Sequence, residues 1–422
     1  MEDDNIFEIL RGGKMESTIK IGIKENVGNF MLLVLINFFV GSMVGLERTV
    51  LPVLGKTNFG LVSSSAAISF IVSFGFSKAI VNYFAGSFAD RLGRKKVLLI
   101  GWSFGLFVPL IVIFASSWWM IVVANIFLGI NQGLAWSMTV NMKIDLSKST
   151  QRGLSVGINE FAGYTGVAIM AAISGYVSSN VANQQHVFYI GVVIAVIGLI
   201  LSLVVRDTEE YIRLQTTKNE IRKSLSAKEI FRETTYKNKN LSSITFAGLS
   251  TNFKDGMAWG LFPLFFSGEG LSIANIGIIV AVYPASWGFF QLFSGGLSDK
   301  VGRKWFIVGG MFLQAFSLWM ILIVDYFSMW LLASILLGIG TAMVYPTLQA
   351  SISDVARPDW RASSMGVYRF WRDSGYAFGA LFAGILNDLL TISWAIGLVA
   401  VFPLSAGLIT LFRLNETLII TK

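Results

Sequence analysis

The stretch GSFADRLGRKK at residues 86–96 returns later in the chain as GGLSDKVGRK at residues 295–304. In both copies an Asp is followed three residues later by Gly, and then directly by Arg and Lys. The second Asp lies 209 residues after the first, about half of the 422-residue chain. A fixed interval of this size indicates an internal repeat, so the two stretches mark equivalent places in two copies of one unit.

The same interval aligns two longer stretches. GINQGLAWSMTVNMKIDLSKSTQRGLSVGINEF begins at Gly129, and GIGTAMVYPTLQASISDVARPDWRASSMGVYRF begins at Gly338. The residues that correspond under this register include Trp136 and Tyr345, Asp145 and Asp354, and Glu160 and Arg369. One register therefore relates most of the two halves of the chain.

The composition indicates a membrane protein. Hydrophobic residues make up 54% of the chain and charged residues 14%, against roughly 25% charge in soluble domains. The runs 97–115, 187–205 and 391–412 contain no Asp, Glu, Lys or Arg, and each is long enough to cross a bilayer as a helix. Twelve such segments are predicted, at about 28–54, 60–86, 96–115, 118–142, 151–179, 187–206, 240–267, 272–295, 305–324, 327–352, 361–387 and 391–413.

Basic residues in the loops predict the orientation. Loops after even-numbered helices carry most of the Arg and Lys, whereas loops after odd-numbered helices carry only Lys56. By the positive-inside tendency, both termini lie in the cytoplasm. The chain then divides into a cytoplasmic N-terminal segment (1–27), a six-helix bundle (28–206), a cytoplasmic linker (207–239), a second bundle (240–413) and a cytoplasmic tail (414–422).

Several function classes find no support in the sequence. The net charge of +8 is dispersed over loops, so no nucleic-acid partner is expected. The chain has no Cys, and its single His, His186, falls in an outer loop; neither a metal site nor a cofactor is expected. Walker A, H-E-x-x-H and G-x-S-x-G motifs are also missing. We therefore do not expect an enzyme or a direct ATP-driven pump.

Two G-x-x-x-D-x-x-G-R-K loops after helices 2 and 8 of a 6+6 chain resemble the signature loop of the major facilitator superfamily. The resemblance covers about residues 28–413 and implies two six-helix bundles that rock around a central cavity. Two positions depart from its proton-coupled and drug/proton antiporter subgroups. Asn125 stands where many proton-coupled members have Arg in helix 4, and helix 5 lacks a Gly-Pro pair.

The resemblance also implies a gate. Asp90 would face the start of helix 11 and Asp299 the start of helix 5, where exposed backbone N–H groups attract a carboxylate. The neighbouring basic residues would form further ion pairs between the halves. The alternative is that the basic residues only set the topology, which leaves the two aspartates unexplained. The gating candidates are Gly86, Asp90, Arg91, Gly93, Arg94, Asp299, Gly302 and Arg303.

Charges inside membrane helices are default functional candidates because their insertion is unfavourable. Helices 3, 6, 9 and 12 contain none, which fits the lipid-facing positions that the family assigns to them. Adjacent charged residues on one helix point about 100° apart, so their partners are expected on other helices. The alternative is that such neighbours only neutralise each other and hold helices together. The candidates for substrate binding or coupling are Glu47, Arg48, Lys78, Gln132, Trp136, Glu160, Lys254, Asp255, Tyr345, Arg369 and Arg372.

Three groups of these candidates carry specific expectations. Arg369 and Arg372 share a stripe of helix 11 near mid-membrane and suit an anionic or zwitterionic solute. Glu160, at the repeat position of Arg369, is the expected proton carrier, with a permanently ionised salt bridge to an Arg as the alternative. Trp136 and Tyr345 form a symmetric aromatic pair that could hold a substrate between them.

The sequence thus predicts a monomeric, all-α membrane protein of twelve helices in two pseudo-symmetric bundles. Its expected function is secondary active transport of a small organic solute across the cytoplasmic membrane, with protons as coupling ion and lipids as surroundings. Uptake and export stay open. The alternatives are a facilitative uniporter, a non-transporting sensor or scaffold on a transporter fold, and, with less support, an ungated channel.

Overall fold

The computed structural model describes residues 20–148, 151–215, 225–357 and 360–418. Most of the predicted N-terminal segment, part of the linker and the end of the tail therefore lie outside the described residues. Twelve long helices form the framework, numbered α1 to α12 here. They are Val27–Thr57, Ser69–Leu92, Arg94–Ile113, Trp118–Leu146, Arg152–Asn180, Tyr189–Val204, Lys239–Gly268, Ile273–Val301, Arg303–Ile323, Phe327–Val355, Arg361–Leu389 and Ile392–Arg413.

The prediction of an all-α membrane fold with twelve helices is confirmed. Nine of the helices in the described ranges are long and apolar enough to cross a membrane by length and composition. The other three, α2, α7 and α11, carry charged side chains that the protein buries, among them Lys78, Lys254 and Asp373. These three helices are thus less apolar because they supply polar groups to the interior.

Two helices are interrupted at places that the sequence explains. Helix α1 breaks after Arg48 and resumes at Leu51 with Pro52 in its first turn, where proline's missing N–H is tolerated. Helix α4 contains one π-helical turn at Gln132–Trp136. A π turn inserts extra backbone and rotates the following residues, which changes the faces that neighbouring side chains occupy.

The helices pack as two halves. Helices α1–α6 form the first half and α7–α12 the second, and the main contacts between the halves join α5 to α8 and α2 to α11. The main partners of α3, α6, α9 and α12 all lie within their own half. This agrees with the peripheral position expected for the four helices without internal charges.

Glycine ends α2 and α8 for a conformational reason. Gly93 has φ +85° and Gly302 has φ +106°, values that L side chains rarely adopt. Each glycine separates one long helix from the next, α2 from α3 and α8 from α9. The repeated Gly of the signature loop is therefore the residue that allows the chain to reverse at equivalent points of the two halves.

The two ends of the bundle differ in how closely the halves approach. We call the end with Gly93 and Gly302 the basic face, and the other end the opposite face. Near the opposite face, a Cβ placed on Gly175 of α5 would lie 2.9 Å from the Cα of Gly277 of α8. Near the basic face, a Cβ on any of Gly86, Gly157, Gly295 or Gly366 would meet no atom within 4 Å. Helices α5 and α8 thus pack backbone to backbone at the opposite face, whereas the four glycines near the basic face have open space beside them.

A carboxylate holds the halves together at the opposite face. Asp388, near the end of α11, accepts hydrogen bonds from the backbone N–H of Ser64 at 2.6 Å and of Ser65 at 3.1 Å. It also accepts from the hydroxyls of Ser63 at 2.7 Å and Ser65 at 2.5 Å. These serines belong to the segment between α1 and α2, so this one side chain joins the two halves directly.

Candidate functional site

A cavity lies between the halves at mid-membrane depth, on the basic-face side of the tight contacts. The first half contributes Lys78, Trp136 and Glu160, and the second contributes Tyr345, Arg369 and Arg372. All six were predicted from the sequence. The cavity volume that is open to the centres of water molecules is only about 30 Å³. This volume holds about two waters. The lining side chains therefore nearly fill the cavity in this conformation.

Glu160 is a buried carboxylate with one committed oxygen. Its Oε1 accepts a hydrogen bond from the indole N–H of Trp136 at 2.8 Å and from the amide of Asn159 at 3.2 Å. Its Oε2 is buried and has no hydrogen-bond partner within the described residues. Among the residues that the structure describes, no ion pair joins Glu160 to an arginine. The salt bridge considered from the sequence is not formed here, and one oxygen stays available to a ligand or proton.

The two arginines of α11 differ in their surroundings. Arg372 binds both carboxylate oxygens of Asp373, at 2.8 and 2.9 Å. Its guanidinium also lies 4.9 Å from the ring centre of Tyr345. Arg369 lines the same cavity, and within the described residues it makes no hydrogen bond or ion pair. Arg369 is therefore the cation that a bound anion could reach without breaking an existing pair.

The expectation that adjacent charged residues find partners on other helices is wrong for two pairs. Arg372 binds Asp373, the next residue, and Lys254 binds Asp255 in the same way. Although the Cα–Cβ directions differ by about 100°, the side chains of Arg and Lys are long enough to turn back to a neighbour.

Asp373 also connects the halves. Its carboxylate accepts a hydrogen bond from the amide of Asn82 in α2 at 2.5 Å, and the other side of that amide accepts from Ser137 at 2.9 Å. Lys78, one helical turn before Asn82, has its Nζ 5.3 Å from the ring centre of Tyr376 in α11. Polar and cation–π contacts between α2 and α11 thus form one wall of the cavity.

The predicted aromatic pair is separated by a third ring. Tyr164 of α5 lies 5.4 Å from Trp136 and 6.4 Å from Tyr345 between ring centres. It also packs on Trp287 of α8 at 3.6 Å. Trp136 and Tyr345 therefore line the cavity as expected, but a flat substrate would have to displace Tyr164 to lie between them.

Three predicted candidates lie away from this cavity. Gln132 is buried inside the first half and donates to the carbonyl of Val40 at 2.7 Å. Trp136, four residues later on the same helix, lines the cavity, so only one member of this pair reaches it. Lys254 and Asp255 lie inside the second half, where Lys254 contacts Tyr283 and bonds Thr341 at 2.9 Å.

Glu47 and Arg48 also lie outside the lining of the cavity. Both side chains are buried, nearer the opposite face. Aromatic rings surround the guanidinium of Arg48, whereas Glu47 lies beside Arg48 and Asn125.

The arginines of the signature loops form ion pairs within their own halves. Arg94 binds Asp145 at 2.7 Å, and Arg303 binds Asp354 at 3.2 Å. The two pairs are related by the 209-residue register. Each of these pairs joins two helices of a single half. The expectation that basic residues of the loops pair across the halves stays a prediction.

The remaining gate residues lie at the basic face. Arg91 is exposed, and Gly86 faces open space. The side chains of Asp90 and Asp299 lie outside the described part of the structure. Their expected contacts with the starts of α11 and α5 stay predictions.

The sequence reasoning missed some polar groups of the site and of the first half. Asn82 and Gln349 line the cavity, but uncharged amides carry no distinctive signal in a membrane helix. Lys143 is fully buried and donates to Asn159 at 2.6 Å. Lys143 directly follows the fourth predicted segment, 118–142, and its charge was a usable signal, because a lysine buried in a membrane helix requires a polar partner.

The comparison with known sequences places the chain in a family. Residues 30–252 and 244–419 each match the sequence profile of the Major Facilitator Superfamily. The chain belongs to the major facilitator superfamily. Such membership makes it a membrane transport protein, in agreement with the two halves and the charged cavity between them.

Similar proteins agree with this assignment. Quinolone resistance protein NorA of Staphylococcus aureus (strain MRSA252) is 27% identical over 134 residues, 32% of this chain and 34% of that protein. The match thus spans about a third of that relative's length. The uncharacterized MFS-type transporter MJ1560 of Methanocaldococcus jannaschii is 21% identical over 384 residues, 89% of this chain and 95% of that protein.

The fold also matches a solved structure. A bacterial homolog of the human lysosomal transporter Spinster, crystallised in an inward-facing and unoccupied conformation, superimposes with a TM-score of 0.71. The match covers 92% of this chain and 96% of that one, at 14% sequence identity. At this identity the likeness concerns the fold alone.

Proposed function

We propose that this superfamily member is a secondary active transporter of a small organic solute and works by alternating access. The observation that carries the proposal is a charged cavity lined by both halves, with close packing of the halves on one side of it and open space beside four glycines of α2, α5, α8 and α11 on the other. A passage that is blocked at one end and reached from the other is what one half of a transport cycle requires.

The basic face is assigned to the cytoplasm. Positively charged loops accumulate on the cytoplasmic side of membrane proteins, and the loops after α2 and α8 carry the repeated Arg and Lys. The conformation described here is then open toward the cytoplasm and closed toward the outside. In the opposite conformation Asp90 and Asp299 would stabilise closure of the basic face by binding the starts of α11 and α5.

The substrate is proposed to carry a carboxylate or phosphate group, alone or in a zwitterion. Lys78, Arg369 and Arg372 bring three positive charges to the cavity, and Glu160 and Asp373 bring two negative ones. Arg369 offers the planar donor fork that fits such anions in two parallel hydrogen bonds. The aromatic rings of Trp136, Tyr164 and Tyr345 suit an apolar body.

The name of one relative, a quinolone resistance protein, suggests a first probe. A quinolone is a planar aromatic ring system with a carboxylate, and the charged and aromatic side chains of the cavity suit both parts once the cavity widens. Export of such compounds and uptake of smaller carboxylates are both compatible with this proposal.

Glu160 is proposed as the proton carrier. It shares the cavity with Arg369, and its Oε2 has no hydrogen-bond partner among the described residues. When the cavity opens to one side, the exposure of the carboxyl and its distance from the arginines change together. Since both factors control whether a carboxyl holds a proton, Glu160 can take up a proton in one state and release it in the other.

Solute flux into proteoliposomes tests the substrate class. We expect the purified chain to transport benzoate or a quinolone, and Arg369→Gln to reduce that flux at least tenfold, because a bidentate pair contributes about 1.5–3 kcal/mol. A permanent cation such as tetraphenylphosphonium serves as the matched test of charge selectivity. Transport restricted to permanent cations would contradict the proposal.

A further inference from the structure

Glu47 and Arg48 are buried charges that the cavity does not use. Their side chains are 1% and 0% exposed. All three nitrogens of Arg48 are buried with no hydrogen-bond partner in the described ranges, and Glu47 lies beside Arg48 and Asn125. A buried charge without hydrogen bonds is strongly destabilising, so such groups in a folded protein call for an explanation. One explanation is that they bind a partner in another conformation of the protein.

Arg48 is enclosed by rings from both halves. Its guanidinium carbon lies 4.6 Å from the ring centre of Phe74 in α2 and 4.4 Å from that of Trp259 in α7. A third ring, Phe70 of α2, lies at 5.7 Å. Cation–π contacts compensate part of the lost hydration but leave the five N–H donors of the guanidinium unused. The first half holds the cation, and the second half covers it with Trp259.

An aromatic layer separates Arg48 from the main cavity. Trp259 stacks on Tyr376 of α11 at 4.5 Å between ring centres, and Phe74 lies 6.0 Å from Tyr376. On the other side of this layer Lys78, which lines the cavity, lies 5.4 Å from the ring of Phe74. Phe74, Trp259 and Tyr376 thus stand between one group of charges at mid-membrane and a second group nearer the opposite face.

Two of these three rings belong to the half that must move. Near Arg48 the halves approach so closely that a Cβ on Gly260 of α7 would lie 2.9 Å from the side chain of Ile68. When the opposite face opens, α7 and α11 move away from the first half and carry Trp259 and Tyr376 with them. Glu47 and Arg48 belong to α1 of the other half and stay behind, at the base of the new opening.

We propose that Arg48, with Glu47 beside it, is the centre of a second solute site, which is covered in this conformation and exposed when the opposite face opens. Its ligand is the carboxylate of a solute with a flat apolar body. The carboxylate occupies the unused donor fork of Arg48, and the apolar body takes the place of Trp259 on the guanidinium face. The inference rests on the proposed transport function, since it places a second binding site along the same transport path, on the other side of the aromatic layer.

Thiol labelling tests the site with little interference, because the chain contains no Cys. The reporter is Phe70→Cys, which leaves Phe74 and Trp259 in place. Intact cells are treated from outside with two impermeant methanethiosulfonates, an anionic ethylsulfonate and a cationic ethyltrimethylammonium. A unit charge about 6 Å away in water changes each rate about threefold in opposite directions. Adding Arg48→Gln should therefore lower the anion-to-cation rate ratio about tenfold.

Arg369→Gln provides the matched control, because it removes a guanidinium of the mid-membrane cavity instead. In the Phe70→Cys background it should leave the rate ratio within twofold of its starting value. Benzoate should slow labelling of Phe70→Cys with or without Arg369→Gln, and should fail to do so with Arg48→Gln. Benzamide, which lacks the carboxylate, should not protect. If Arg48→Gln does not fold, Arg48→Lys should keep the rate ratio and lose the protection, since an ammonium offers no planar fork.

Three results would overturn the second site. They are the absence of Phe70→Cys labelling from outside, an anion-to-cation rate ratio that Arg48→Gln leaves unchanged, and benzoate protection that persists in the Arg48→Gln variant; each of these outcomes contradicts the proposal. Failure of the proposed transport function has a different signature. It would show as absent carboxylate flux in proteoliposomes, whereas the rate ratio reports the exposure of Arg48 whether or not net flux occurs.

Discussion

Asp388 provides a direct test of how the opposite face is held closed. Its carboxylate accepts four hydrogen bonds from Ser63, Ser64 and Ser65, between 2.5 and 3.1 Å. Its Oδ1 accepts one of these bonds and its Oδ2 the other three. The substitution Asp388→Asn keeps the size of the side chain but turns one acceptor oxygen into a donor, and the amide orientation that keeps the most bonds loses one. Because Asp388 is exposed, each bond is assigned about 0.5–1 kcal/mol, the lower part of the usual range.

The loss of one bond, about 0.5–1 kcal/mol, shifts the equilibrium between closed and open states by about 2- to 5-fold. Ile68 is a suitable reporter, since it is fully buried between the halves beside Gly260 and Gly384. Labelling of Ile68→Cys by an impermeant thiol reagent from outside should accelerate by that factor when Asp388→Asn is added. The increase follows because the thiol reacts only in the open state.

Asp325→Asn is the matched control. Asp325 is an exposed carboxylate between α9 and α10, also at the opposite face. Its substitution changes the net charge in the same way without touching the serine contacts. Equal labelling rates in the Asp388 and Asp325 variants would refute the argument that hydrogen bonds of Asp388 hold this face closed.

The remaining predictions concern coupling and the basic face. Glu160→Gln should abolish proton-driven accumulation in proteoliposomes while solute exchange continues, because a neutral amide cannot carry the proton; accumulation with unchanged pH dependence would exclude Glu160. Asp90→Asn or Asp299→Asn should weaken closure of the basic face and raise its accessibility to reagents at cysteines introduced there. Unchanged accessibility in both variants would argue against the proposed contacts with α11 and α5.

The sequence was sufficient for the repeat and for the main charges of the cavity. Both follow from periodic information: a 209-residue register relates Gly93 to Gly302, and helical spacing with depth along the helix brought Glu160 and Arg369 to the same level. Such arguments use only backbone geometry, which is nearly uniform in membrane helices. They were correct where the answer depended on the position of a residue along its helix.

The errors concern side-chain direction and reach. Arg372 turns back to Asp373, and no rule based on Cβ directions predicts that conformation. Gln132 donates to the carbonyl of Val40 inside its own half and does not line the cavity. Each error lies at the scale of a few ångströms, below the resolution of a sequence pattern.

The contact between Tyr164 and Trp287 has a mechanical consequence. The two rings lie near the midpoints of α5 and α8, each 29 residues long, so about 22 Å of helix extends to either side. If this contact serves as the fulcrum, a rotation of about 15°, as in known subunit motions, moves each helix end by about 6 Å. The displacement of each helix end is then comparable to the width of one aromatic ring. The length of helix on either side of the contact would by itself limit the width of the opening, and so favour thin, flat solutes over bulky ones.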